Sequence, residues 1–180
     1  VLTCLLAAYQ ECGNSSSVHS LGRKAAMMIE KVREELRQAL NATNYEIYFT
    51  SGGTEANNMA LFGADYSHIL RSAIEHSSVY NIKPRNAEII DLAVSQDGLI
   101  DLADLRQKLE NSAAKPAKSG LPKNILVSMM LANNESGAIQ KVKEAAQIVH
   151  QNGGLLHSDL VQAFGKIAID LEDLNIDFAT

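Results

Sequence analysis

Four short polar clusters hold the residue types that ligand binding and proton transfer require. The first is Ser51-Gly52-Gly53-Thr54-Glu55, lying between an aromatic, β-branched run and a stretch of helical character. Paired glycines let the backbone approach a ligand, a helix start offers free N–H donors, and the Thr54 hydroxyl adds another, a set suited to phosphate. An ordinary glycine turn with Thr54 as N-cap uses the same residues. Neither GxGxxG nor GxxxxGK followed by Ser or Thr is present, which argues against dinucleotide and P-loop binding. The second cluster is Glu75-His76, where an imidazole can stack on a flat ring or move protons near neutral pH, or serve structure alone. The third, Asn133-Asn134-Glu135, ends an apolar run. An inward amide there must find a partner or meet a ligand, the alternative being an asparagine-rich turn. The fourth is Asp159 with Gln162. Asp159 ends the strand read over Leu155-Leu156-His157-Ser158-Asp159, and a buried carboxylate needs a cation or hydrogen-bond donors. His157 and Asp159 could be two metal ligands, but no third ligand is evident.

Secondary structure has to bring these clusters together. A helix is expected over residues 20–40, where Ala25, Met28, Ile29, Val32, Leu36 and Leu40 recur at three- and four-residue spacing. Residues 45–50 read as a strand and 54–61 as a helix. Residues 68–74 and 87–94 read as further strands, the second closed by a turn at Gln96-Asp97-Gly98. Leu102, Leu105 and Leu109 share one face of a short helix, and 111–123 reads as a surface loop. The continuous apolar run over 124–132 predicts a fully buried strand. A helix over 140–152 stops at Gly153-Gly154, residues 155–159 form the next strand, and Ile176 begins another. This alternation predicts an α/β fold, a three-layer sandwich around a mainly parallel central sheet. Ligands of such sheets bind beyond the carboxyl ends of the strands, and all four clusters fall at strand ends.

Composition narrows the function classes. The 180 residues are 46% apolar and 21% charged, ordinary values for a folded domain. Sixteen Lys and Arg against twenty-one Asp and Glu leave a net charge of −5, without the basic face that nucleic acid demands. The longest nearly unbroken apolar run, 125–132, is far short of the ~20 residues that span a bilayer, so no membrane association is expected. Cys4 and Cys12 match no zinc spacing and cannot staple a scaffold, which favours a reducing, cytoplasmic setting. The chain opens Val1-Leu2-Thr3-Cys4 without a basic leader, so Val1 reads as an internal boundary and not as a signal-peptide start.

Taken in order, the clusters resemble the class V aminotransferase-like enzymes of the pyridoxal-phosphate fold type I group, specifically the cysteine desulfurases. Five segments carry the resemblance: Asn14-Ser15-Ser16-Ser17-Val18-His19-Ser20-Leu21-Gly22-Arg23; Phe49-Thr50-Ser51-Gly52-Gly53-Thr54-Glu55-Ala56-Asn57-Asn58; Ser72-Ala73-Ile74-Glu75-His76; Ala132-Asn133-Asn134-Glu135-Ser136-Gly137; and His157-Ser158-Asp159 continuing to Gln162 and Lys166. The resemblance implies roles. Thr54 and the Gly53 backbone would hold the cofactor phosphate. His76 would stack on the pyridine ring and assist proton transfer, which makes it the implied catalytic residue. Asn134 would lie by the cofactor and the substrate carboxylate, Asp159 would pair with the pyridinium nitrogen, and Gln162 would hydrogen-bond the phenolic oxygen. The implied cofactor is pyridoxal 5'-phosphate and the implied substrate L-cysteine. A homodimer and a sulfur-acceptor or scaffold protein, serving iron–sulfur cluster or thio-cofactor assembly, are the implied partners.

Departures from the family pattern bear on extent. The family's Schiff-base lysine belongs to a Ser-x-His-Lys segment expected after Thr180, and Lys166 stands in a different motif. Cys4 and Cys12 precede every site motif and do not match the family's persulfide cysteine. Ser15 stands where proline is usual, and the family's N-terminal Asn-Ala-x-Thr-Thr-Pro segment is missing. Residues 1–180 are therefore expected to be the cofactor-binding large domain of a longer enzyme, truncated at both ends. A selenocysteine lyase or another class V enzyme, a non-catalytic pyridoxal-phosphate-binding fragment, and more distantly a metal hydrolase using His76, His157 and Asp159 are the competing readings.

Overall fold

The computed structural model describes residues 2–11, 13–84, 86–114 and 124–180. These residues form two compact units, Val1–Ile47 and Tyr48–Thr180. The first holds α1 (Leu2–Gln10), which the sequence reading leaves unassigned, and α2 (Ser20–Ala39), the expected long helix. His19 caps α2, its ring accepting from the Gly22 amide at 3.2 Å. Gly22 lies against the Ser17 and Asn14 carbonyls, so a Cβ at this position would collide with backbone.

The strand expected over 45–50 does not form. These residues join no ladder among the described residues. A strand is made by its neighbour, and here side chains take the carbonyls: Arg33 Nε donates to Ile47 O at 2.8 Å and Arg37 Nε to Tyr45 O at 3.4 Å. Aromatic and β-branched composition reports a half-buried surface, not the presence of a partner.

In the second unit the other expected strands and helices form, the strands shorter than expected, α3 and α5 longer, and two short helices, α4 and α7, are added. In chain order these are α3 (Gly53–Phe62), β1 (His68–Ser72), α4 (Ser77–Tyr80), β2 (Glu88–Leu92), α5 (Leu102–Ala114), β3 (Ile125–Ser128), α6 (Val142–Gln151), β4 (Leu155–Ser158), α7 (Leu171–Leu174) and β5 (Phe178–Ala179). The strands form one sheet in the order β2-β1-β3-β4-β5, and every pairing is parallel. The loop expected over 111–123 begins instead inside α5 as far as Ala114, and residues 115–123 lie outside the described residues.

Period-two alternation places one layer on each face of the sheet. Ile69 and Leu126, paired in register, pack with Leu61 of α3 and Val79 of α4. Leu70, Val127 and Leu156, also in register, are fully buried on the opposite side. There α5 packs against β1 and β2, and α6 against β4. The buried Val142, Ala145, Ala146 and Val149 of α6 recur at helical spacing, the stripe a helix needs to cover a sheet. The result is a three-layer α/β sandwich with a parallel centre.

Because all strands run one way, Ser72, Ser128 and Ser158 mark a common edge. Strand order turns at β1, which has β2 on one side and β3 on the other, and that is where a crevice opens in such sheets. Past Ser128 the chain stays tied to its neighbour. Met129 N donates to His157 O at 3.1 Å and Leu131 N to Asp159 O at 2.9 Å, which keeps residues 129–132 buried although the regular ladder has ended.

Candidate active site

At this carboxyl edge lies a cavity of about 200 Å³. Gly53, Thr54, His76, Asn134, Asp159 and Gln162 all line it, so the six residues singled out in the sequence converge from four separate connections. Asn57, Ser78 and Met130 line it as well. A larger cavity of about 280 Å³ beside Tyr66 and Lys83 sits at the opposite, amino ends of β1 and β2 and gathers none of these residues.

Asp159 is the best-held group. It is 5% exposed, directly beyond β4, and its two oxygens accept separate bonds. Val161 N donates to Oδ1 and Asn57 Nδ2 to Oδ2, both at 2.9 Å. Among the described residues no basic side chain reaches it. A buried carboxylate held by neutral donors alone remains an attractive neighbour for a cation.

Asn57 is the residue the sequence reading missed. It stands one turn after Thr54 on α3, so both present to the same side, and that three-residue spacing is the one signal that could have found it. Its Nδ2 also donates to Ser78 Oγ at 2.9 Å, and its Oδ1 accepts from the Thr180 hydroxyl. Ser78 Oγ lies 2.8 Å from His76 Nδ1, and Ser78 N donates to the same nitrogen at 3.2 Å. Two site residues 83 positions apart, His76 and Asp159, are thus joined through two neutral side chains.

Gly53 opens α3, where the first backbone N–H groups have no intrahelical acceptor. Glu55 turns back to Ser51, accepting from its N and Oγ at 2.6 Å, and these bonds hold the Glu55 carboxyl below its usual range. A Cβ on Gly53 would stand 3.0 Å from Val161 Cγ2, so the cavity wall uses the missing side chain. Gln162 Oε1 accepts from Lys166 Nζ at 2.5 Å, which places Lys166 beside the cavity's rim.

The remaining clusters divide between ligand and structure. Asn133 is a turn residue: its Nδ2 donates to Ile74 O at 3.1 Å while its Oδ1 accepts from Glu135 N and Ser136 N. Its exposed neighbour Asn134 faces the cavity. His157 is fully buried, with Ser128 Oγ at 2.8 Å on Nδ1 and Thr180 Oγ1 at 3.0 Å on Nε2, and burial pushes its pKa down to about 4 although Asp159 pulls it up. Both ring nitrogens are taken, and no group of three metal-ligating side chains forms among the described residues. Glu75 accepts from Met130 N at 2.7 Å while its Oε2 is buried without a partner. Burial drives its carboxyl up to about 8; the Met130 amide opposes this, the Asp159 charge adds to it, and Arg71 offsets a part.

A parallel sheet thus brings a helix start, an imidazole and a buried acid to one cavity at its carboxyl edge. The aminotransferase class-V family model matches residues 1–180, and the chain belongs to that family. It is 35% identical to the cysteine desulfurase IscS of Dictyoglomus turgidum over 93% of its own length and 42% of that protein's. Among solved structures, a NifS-like protein of Rickettsia africae superposes with a TM-score of 0.89 at 38% identity, covering 99% of this chain and 49% of that one. SspA in complex with cysteine superposes with a TM-score of 0.78 at 27% identity, covering 94% and 49%. The chain therefore spans less than half the length of the relatives it matches.

Proposed function

We propose that the protein containing this chain is a pyridoxal-phosphate-dependent cysteine desulfurase, and that residues 1–180 belong to its cofactor-binding large domain. The observation that carries the reading is Asp159, a buried carboxylate on the cavity wall with amide donors only. A protonated pyridine nitrogen is the cation such a group suits, and the free amides at the start of α3 suit the phosphate. Bound pyridoxal phosphate supplies an electron sink for carbanions next to its imine carbon. In this reading the Gly53 backbone and Thr54 hold the phosphate, and Asp159 keeps a proton on the ring nitrogen. His76 faces the ring and moves a proton. Gln162 bonds the phenolic oxygen, and Asn134 receives the substrate carboxylate.

The net reaction moves the sulfur of L-cysteine to a protein thiol, giving L-alanine and a persulfide. A homodimer, a sulfur-acceptor protein for iron–sulfur or thio-cofactor assembly, and a cytoplasmic setting accompany the proposal. The names of the relatives support it, as does the cysteine complex formed by SspA. The test is release of alanine and sulfide from L-cysteine by the intact protein with pyridoxal phosphate and a thiol reductant. Turnover that Asp159→Asn abolishes supports the reading. Absence of turnover, or full activity in that variant, removes it.

A further inference from the structure

We propose that Asn57 and Ser78 are positioning residues that hold His76 in its Nε2–H tautomer, so that the neutral ring carries its proton predominantly on Nε2. The inference deepens the reading above and takes from it only the place of His76 in the site. Hydrogen-bond accounting assigns each proton. A carboxylate oxygen only accepts, so the Asn57 amide must turn its NH₂ toward Asp159 Oδ2, 2.9 Å away. The second N–H of that group meets Ser78 Oγ at 2.9 Å. Asn57 Oδ1 is fixed from behind by the Thr180 hydroxyl, whose own oxygen lies 3.0 Å from His157 Nε2. The Asn57 orientation is therefore determined from both ends.

With one lone pair of Ser78 Oγ taken by Asn57, the Ser78 hydroxyl hydrogen is free to point at His76 Nδ1, 2.8 Å away. The backbone N–H of Ser78 also points at Nδ1, at 3.2 Å, and a backbone N–H can only donate. Two donors converge on Nδ1, so it keeps its lone pair and the neutral ring must carry its hydrogen on Nε2. Nε2 has no protein partner among the described residues, and His76 lines the cavity. The consequence is a ring held at one edge by protein with its single N–H left for whatever occupies the cavity. An Asp at position 57 would break the arrangement twice, by losing both N–H donors and by setting a carboxylate against Asp159.

A long-range ¹H–¹⁵N correlation spectrum of the intact protein labelled with ¹⁵N-histidine reads the tautomer directly, the His76 signals being those lost in His76→Gln. Wild-type protein is expected to show His76 with the Nε2–H pattern predominant. Ser78→Ala removes one of the two donors and should raise the Nδ1–H fraction about fivefold, the worth of one hydrogen bond. Ser78→Thr keeps the hydroxyl and should return the wild-type pattern, and Asn57→Ala should move the ratio as Ser78→Ala does, by a smaller factor. A predominant Nδ1–H signal in wild-type protein overturns the proposal, and so does an unchanged ratio in Ser78→Ala. Should Ser78→Ala fail to fold, the wild-type and Ser78→Thr spectra still decide. Cysteine turnover is scored separately: an intact tautomer without turnover supports this inference and removes the desulfurase reading, whereas turnover with a mixed tautomer removes this inference alone.

Discussion

Replacing Glu75 with Gln should change how stability depends on pH far more than it changes stability at any one pH. Glu75 is buried beside Met130, and its carboxyl titrates near 8 in the folded protein against 4.5 in an unfolded chain. Between those values the folded protein holds a proton that the unfolded chain has released. Stability is then full below pH 4.5 and falls as pH rises, by about 1.4 kcal/mol per unit, until Glu75 ionises in the folded state near pH 8. Over pH 5 to 8 the loss is ~4 kcal/mol, a large fraction of a typical domain's stability. Glu75→Gln keeps a carbonyl oxygen for the Met130 amide and removes the titration. Its extra N–H group, placed where Oε2 now has no partner, costs ~1–3 kcal/mol at every pH. Urea midpoints of the intact protein and the variant, measured every half unit from pH 5 to 8, isolate the effect because all other groups cancel in the difference. The difference should climb in the variant's favour throughout this range. A difference independent of pH would refute the assignment of a neutral, buried Glu75.

Three further outcomes follow from the same geometry. In the intact protein Asp159→Ala should lower kcat about 100-fold or more while cofactor absorbance after gel filtration stays largely in place, because the proposed phosphate contacts of Gly53 and Thr54 are untouched; equal loss of both would make Asp159 a retention group only. Asn57→Leu should lower thermal stability by ~2–3 kcal/mol, since it leaves Asp159 and Thr180 each short of a buried partner, and an unchanged melting temperature would deny Asn57 its central place. Gly22→Ala should destabilise α2, against the ordinary helix preference for alanine, because the new Cβ meets the Ser17 and Asn14 carbonyls; a higher melting temperature would contradict that contact.

Periodicity and composition determined a good deal of this protein before any coordinates. The apolar stripe of α6 is legible because a helix that buries one face must repeat its apolar residues every three or four positions, and the same spacing marks α2 as a helix although Met28, Ile29 and Val32 stay exposed. The largely apolar stretch over 124–132 announces a strand buried on both faces, and the alternation of strands with helices gives the parallel class. Gly53, Thr54, His76, Asn134, Asp159 and Gln162 stood out in the sequence as clusters at the expected carboxyl ends of strands, each weak alone, and only the family resemblance gave them roles; the structure brings all six to one cavity. Pairing was not legible: residues 45–50 have strand composition, yet their carbonyls go to Arg33 and Arg37, and no local pattern encodes a distant donor. The chain from His157 through Thr180 and Asn57 to Asp159 and His76 likewise joins residues more than 100 positions apart, and the surroundings that keep Glu75 protonated near neutral pH include Met130 and Asp159, both distant in sequence. Periodicity reports which side of an element is dry. Which polar groups face one another on that dry side is decided only when the tertiary structure excludes water and leaves each donor to the acceptor within its reach.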